Sequence, residues 1–492
     1  MKSVLCRLMV FVLIQGWLSH LNAYANVGQD FGFGAQVMSL GGAGAGWNTQ
    51  GFAGYHNPAT LSESILHLGQ ERRLTLSWGL VFVHPQFLPI RNILLQNGYV
   101  ADEAYRPTSS QPQSTLLGDG DTSSYRNTFG QTLGITYQLS PEFYHLSLGI
   151  VTFFPIEQLA YMDTGHNFEP EYVLYRSRTQ RPQVDLGLGA RLSNGLAFGL
   201  GLHSGFTLTG NGTLFITTQA NTVSTMRFTA SMKPKLAPYV GVYFSPEQEK
   251  DSENQYSLGA VVRAPISSEN ILKFSSGARV FGSFAAVDFN FDSKSTLFYD
   301  PLSVELGGMF SPFAGLKIIG QLDYQVWSKY KTPALIISQA LTSRCSSTNP
   351  ADCPGGGLKI NPGANPDQRY RNILVPRLGV EKELSEGVLI RAGYAYRPTI
   401  LKDLPVGAGN YLDPSKHQLN LGMGLEFKKF LSYEFPARLD VALTYHFLKK
   451  DHITKTPGTN EAGVPNDEKI GYPGYDSGGK IYGGAVTLSL LF

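Results

Sequence analysis

Read as alternating strands, the chain collects acids and bases on one face at His145, Asp185, Arg191, His203, Arg263, Glu305, Lys317, Asp323, Arg377, Arg391, Glu426, Arg438 and Asp440. Side chains of both signs on one face would mostly satisfy one another. An anionic ligand head would need a cation left over, and Lys317 and Arg391 are the candidates. Apolar residues share this face at Val81, Val83, Val151, Phe153 and Ile319, where a water-filled interior would favour polar groups. Together with Phe31, Phe33, Phe52 and Tyr55 they would line a greasy pocket. Each buried methylene of a ligand contributes roughly 0.8 kcal/mol, so about eight give on the order of 6 kcal/mol before ordering costs. Plain packing of an internal segment against a wall is the alternative for each of these positions.

Motifs for bond-making chemistry are poor. Gly474 with Gly479 and Lys480 imitates a phosphate loop, but Ile481 stands where Ser or Thr is needed. The glycine run around Gly44 fails dinucleotide spacing, with Trp47 and Thr49 in the way. Ten histidines are scattered without a His-x-x-x-His pair, and no Gly-x-Ser-x-Gly elbow occurs. No catalytic residue, metal site or cofactor is therefore expected. Cys345 and Cys353 lie close together with no His nearby, so a disulfide in an oxidising compartment is expected there. In Asn57-Pro58-Ala59, Pro58 holds Asn57 extended and the Asn side chain can cap backbone groups. Either a rigid turn or a hinge fits.

The elements that must position these residues are strands. The chain ends on Tyr482, Val486, Leu488, Leu490 and Phe492 at two-residue spacing, with Gly483, Ala485, Thr487 and Ser489 between. One greasy face and one small polar face suit a barrel wall in lipid. The same alternation predicts strands at 73–83, 128–139, 143–154, 182–192, 196–209, 235–245, 255–264, 302–310, 316–326, 372–383, 388–397, 417–427, 437–448 and 481–492. Short connections, such as Ser193-Asn194-Gly195 and Ser385-Glu386-Gly387, alternate with long ones at 85–127, 155–181, 210–234, 265–301, 328–371, 398–416 and 449–480. Brief periplasmic turns and large external loops would give that rhythm. Residues 271–291 also alternate, and are read as an outward extension because a further wall strand would break the even count.

Lys2, Arg7, the apolar stretch Val10 to Ile14 and Ala23-Tyr24-Ala25 read as a secretory signal over residues 1–25. Those two bases are the leader's only charges, so the formal +2 leaves with it (40 − 2 = 38 bases against 38 acids). A neutral mature chain gives no support to nucleic-acid binding. No later segment is apolar enough for a spanning helix, and a closed sheet is the other backbone arrangement that satisfies itself in hydrocarbon. Residues 26–72, with Gly41 to Gly46 and few strand patterns, are read as a plug folded into the lumen of a barrel formed by 73–492. The expected fold is thus an all-β, transmembrane antiparallel barrel of about 14 strands with an N-terminal plug.

Gly41 to Ala45 with Asn57-Pro58-Ala59, the segment Leu322-Asp323-Tyr324-Gln325-Val326-Trp327-Ser328-Lys329-Tyr330, and Arg391 to Pro398 (RAGYAYRP) resemble the long-chain fatty acid transporter family of outer-membrane proteins, which includes the toluene and xylene uptake channels. The resemblance spans the mature chain, and the order of its parts is more specific than any one of them. It implies a monomeric fourteen-stranded barrel with an N-terminal hatch, in the outer membrane of a Gram-negative cell. It also implies a hydrophobic small-molecule ligand that leaves sideways through a gap in the third strand, where Gly149 would permit a bend. A scaffold that docks secreted proteins on the long loops is the alternative function.

Overall fold

The computed structural model describes residues 27–492 apart from 48, 64–72, 89–93, 97–113, 117–126, 141–144, 157–170, 173, 176–180, 193–194, 218–224, 247–253, 280–284, 331–335, 346–357, 361–369, 403–410, 429–434 and 456–473. The leader and Cys353 lie outside the described residues, so the expected signal cleavage and the Cys345–Cys353 bridge do too.

Fourteen strands close into a ring. They are β1 (Leu74–Phe87), β2 (Thr128–Ser140), β3 (Leu146–Pro155), β4 (Gln183–Arg191), β5 (Leu196–Thr217), β6 (Thr225–Phe244), β7 (Gln255–Arg263), β8 (Leu302–Phe313), β9 (Leu316–Val326), β10 (Ile373–Ser385), β11 (Val388–Arg397), β12 (Lys416–Phe427), β13 (Ala437–Thr454) and β14 (Gly474–Leu491). Each pairs antiparallel with its neighbours in chain order. Closure falls at β1, where Trp78 stands between Leu133 of β2 and Leu488 of β14. The Arg73 N–H donates to the Phe492 carbonyl at 3.0 Å, so the last residue helps seal the rim.

Period-two patterning explains which way each side chain points. Outward positions are apolar and open, Leu200 being 62% and Leu443 64% exposed, while the residues between them are buried. Water would not tolerate so continuous an apolar outer surface, whereas hydrocarbon does. No helix among the described residues is long and apolar enough to cross a membrane. The tightest turns hold two residues: Phe313 pairs with Leu316 and Ser385 with Val388, and Gly315 and Gly387 take the positive φ (78° and 76°) that these turns demand.

Four strands run at least six residues further than the sequence predicts. Residues 210–234, read as a loop, continue the β5–β6 ladder out to Phe215 opposite Thr225. Gly210, Gly212 and Pro234 are of types that usually interrupt a strand. In the structure Leu272 and Phe274 cover the two glycines, and Pro234 lies on a stretch of β6 with no ladder on its second edge among the described residues, where a missing N–H costs nothing. β13 and β14 likewise continue past Leu448 and before Ile481, through a bulge between Leu448 and Asp451. The described part of 271–291 falls on strands Ile266–Arg279 and Ala285–Asp300, outside the ring and so leaving its parity intact. The first lies parallel to the outer half of β5, and Ile336–Cys345 and Leu358–Ile360 extend that sheet.

The N-terminal residues form short helices α1 (Val27–Asp30), α2 (Ala35–Ser39) and α3 (Ala53–His56), with 3-10 turns at Gln50–Phe52 and Pro58–Ser62. Nearly every residue from Gly28 to Glu63 that the structure describes is buried or half-buried. This segment meets inward atoms of all fourteen strands, from Ser77 of β1 and Gly134 of β2 round to Arg377 of β10, His446 of β13 and Thr487 of β14. Only a chain inside the ring can make that set of contacts. Wall glycines make room for it: a Cβ on Gly259, Gly307 or Gly393 would overlap the backbone of Ala45, Gly46 or Gly41.

Candidate ligand-binding site

Phe33 is the centre of the inner segment's apolar side. Its ring meets Tyr55 edge-on at 4.5 Å and lies 6.5 Å from both Phe52 and Phe153. Phe31, Phe33, Phe52 and Tyr55 join Val81 and Val83 of β1 and Val151 and Phe153 of β3 in one buried cluster, so eight of the nine expected apolar lining residues are brought together. The same cluster continues toward the end that carries the long connections through Phe87, stacked on Tyr172 at 4.2 Å and tilted against Tyr175 at 5.1 Å. It also takes in Tyr299, Trp327, Tyr330 and Tyr370, whose successive ring centroids are 4.8–5.9 Å apart. Each such ring pair contributes about 0.5–1.5 kcal/mol beyond area burial. The result is an apolar column from the loops to the inner segment.

Sequence reasoning did not reach the upper half of this column. Tyr172, Tyr175, Tyr299 and Tyr370 sit in predicted connections, and parity assigns sides only within strands. The aromatic spacing at 172 and 175, and again at 327 and 330, was the available signal. Tyr172 is fastened to the wall: its hydroxyl donates to the Gly478 carbonyl at 2.9 Å and accepts from the Gly478 N–H at 2.8 Å. Burial pushes its pKa up to about 12, so it stays a neutral donor.

Three of the expected roles do not stand. Lys317 and Arg391 are not spare cations, because Glu381 lies between them, 2.8 Å from the Lys317 ammonium and 2.7 Å from Arg391 Nε. Arg391 also reaches Asp440 at 2.8 Å, and Arg438 reaches Asp440 at 3.0 Å. Register explains the pairing: Lys317, Glu381 and Arg391 are direct cross-strand partners on β9, β10 and β11. Ile319 belongs to a separate cluster with Val37, Leu40, Ala43 and Trp47. At Gly149 the ladder is unbroken, with Thr136 on one side and Gly187 on the other. The missing side chain there admits Leu61 and Gly54 of the inner segment and opens no gap.

Asn57 ties the inner segment to itself and to the wall. Its Oδ1 accepts from Ala59 N at 3.0 Å, and its Nδ2 donates to the carbonyls of Ala45 at 2.8 Å and Val242 at 3.2 Å. Pro58 then opens the 3-10 turn with Asn57 extended at φ −154°. On the other side of the segment lies a polar cleft lined by His203, Arg263, Glu305, Asp323 and Arg377. There Arg263 Nε donates to Glu305 at 2.7 Å, and the same guanidinium donates to the carbonyls of Tyr55 and His56. Arg377 repeats the arrangement, with Nε on Asp323 at 2.7 Å and its two terminal nitrogens on the carbonyls of Gly41 and Gln29, each at 2.8 Å. Two wall arginines, each backed by a carboxylate, thus hold the segment by its backbone.

His56 faces the Phe33 backbone, its Nε2 3.2 Å from the Phe33 N and 3.1 Å from the Phe33 O. Burial above all, with Arg263 and Arg377 adding to it against the Phe33 contact, lowers its pKa to about 3. An unfolded histidine titrates near ~6.5, so the neutral ring stabilises this segment fully above that pH, and the contribution is lost as pH falls from about 6.5 toward 3. Protease access to residues 27–62 is therefore expected to rise over that window, and His56→Gln should flatten the profile. A wild-type profile that is level from pH 7 to 4 would remove His56 from the account.

No family model matches the chain. A stretch of 193 residues is 25% identical to alkane uptake protein A of Marinobacter nauticus and takes in 39% of this chain and 36% of that protein, so the match spans about a third of the relative's length. A crystal structure of a FadL homologue from Pseudomonas aeruginosa superposes at a TM-score of 0.50 with 12% identity, covering 96% of this chain and 99% of that one. The toluene transporter TodX of Pseudomonas putida aligns at 0.49 with 14% identity over 94% and 98%. This chain has the fold of that FadL homologue, and its wall is a closed ring of fourteen strands.

Proposed function

We propose that this protein is a passive channel of a Gram-negative outer membrane that takes up hydrophobic small molecules, long-chain fatty acids or hydrocarbons. The single observation behind the reading is the apolar column, which runs through a lumen otherwise crowded with ion pairs. A water-filled pore has no use for buried rings along its path. In this reading residues 1–25 are the leader, 26–72 the plug and 73–492 the barrel. The partial likeness to an alkane uptake protein points the same way.

External loops would capture the ligand and pass it down the rings of Tyr299, Trp327 and Tyr330. Because these rings are buried against one another, entry displaces them, and onward passage displaces the plug. Sideways release would open a seam of the wall. The ladder with the fewest paired residues is β6–β7, six pairs from Tyr239–Arg263 to Phe244–Leu258, and it is the weakest place for such an opening.

Uptake of a labelled alkane and a labelled fatty acid by cells that depend on this protein tests the reading, with mass spectrometry of molecules that co-purify with the barrel. Trp327→Ala and Tyr330→Ala should each lower uptake at limiting ligand at least tenfold, since each ring removed forfeits roughly 1.5–3 kcal/mol of apolar contact for a ligand that uses it. Uptake that survives deletion of the whole protein would end the proposal.

A further inference from the structure

Beyond the wall, β6 rises as part of a sheet whose two faces are both open. From residue 226 to 234 every side chain is exposed, yet the faces differ in kind. Arg227, Thr229, Ser231 and Lys233 point one way, and Met226, Phe228 and Met232, at 66%, 55% and 51% exposed, the other. Phe228 leans over Gly210 and Gly212 of β5 toward Leu272 and Phe274, so the apolar face crosses three strands. A strand standing in water on both sides has no packing reason to keep an apolar face.

The face has a direction. It continues the stripe of Val242, Val240 and Leu236 that meets lipid lower on the same strand. From Phe244 to Leu236 that stripe covers about 27 Å of strand, close to the ~25 Å height of an outer-membrane apolar band. Met232, Phe228 and Met226 therefore lie above the hydrocarbon, carrying a lipid-like surface outward. No charge interrupts it between residues 226 and 236, where the alternate positions are Met, Phe, Ala, Met, Pro and Leu.

We infer that this outward face is a landing surface for a condensed hydrocarbon phase, an oil droplet or film, from which ligand is drawn toward the lumen. The inference rests on the proposed uptake function and adds the physical state of the substrate source. A liquid phase needs no shape match and no charged rim. Flexible methionines and one ring suit a surface without fixed contours.

The test uses the full-length protein in proteoliposomes and in cells, with the triple variant Met226→Ser, Phe228→Ser and Met232→Ser. Adhesion to hexadecane droplets should fall about tenfold as the apolar contact is lost, while uptake of a short labelled alkane dissolved below saturation stays unchanged. Arg227→Ser with Lys233→Ser, on the opposite face, should leave adhesion as it was. Unaltered droplet adhesion in the triple variant would overturn the inference. So would wild-type cross-linking into dimers that the triple variant abolishes, since the face would then belong to a second copy. Should wild type take up neither dissolved nor droplet hydrocarbon, the uptake reading fails, while the adhesion comparison still decides the role of the face. Heat-modifiable electrophoretic mobility checks that each barrel is folded, and Phe228→Ser alone, with a smaller loss, serves if the triple variant is not.

Discussion

Gly393→Val is expected to leave the barrel closed and expel its inner segment. A Cβ on Gly393 would fall on the Gly41 N, the Leu40 carbonyl carbon and the Ser39 O, all backbone atoms that no rotamer change can move aside. The wall cannot retreat either, for Gly393 is paired with Gly379 on one side and Asn420 on the other. Forcing a side chain into such a contact costs about 1–3 kcal/mol at one site. Gly259→Val, aimed at the Ala45 carbonyl, doubles the insult from β7. Single-barrel conductance in a planar bilayer should rise many-fold in the double variant, and residues 27–62 should become open to added protease. Gly320→Val is the control, since nothing lies within 4 Å of its added Cβ. Equal conductance in the double variant and the control would show that the segment does not occlude the lumen.

Arg377→Ala should be the costliest polar truncation in the lumen. It leaves the buried Asp323 carboxylate, among the described residues, with Gln321 Nε2 at 2.6 Å, and removes the two guanidinium donors from the carbonyls of Gly41 and Gln29. Removing one member of a buried ion pair costs about 3–5 kcal/mol, most of it for the charge left behind. Hydrogen exchange of the inner segment should accelerate accordingly, by two or more orders of magnitude where its opening is local. Combining Arg377→Met with Asp323→Asn removes the stranded charge and should recover part of the loss. If the double variant exchanged faster than Arg377→Ala, the carboxylate would not be the source of the penalty.

Much of the wall was legible because a barrel strand states its orientation in every second residue. The alternation around Trp78, through Leu186 to Leu202, and at the chain end is what the ring uses, and the even count survives because 271–291 joins an outer sheet. Strand length was less legible. Above the bilayer apolar and polar residues no longer report burial, so β5 and β6 run on through residues that look like a loop.

The sequence by itself determined which side chains face inward, because the pleat alternates without reference to any partner. It also determined that some of those inward residues are apolar and that the lumen holds both charge signs. Only the tertiary structure decided who meets whom. Lys317 and Arg391 share Glu381 through cross-strand register, Arg377 finds carbonyls more than three hundred residues away, and Tyr172 stacks on Phe87 from a distant connection. Those meetings depend on how a closed ring brings remote strands and an internal segment to one point, a condition no local pattern encodes.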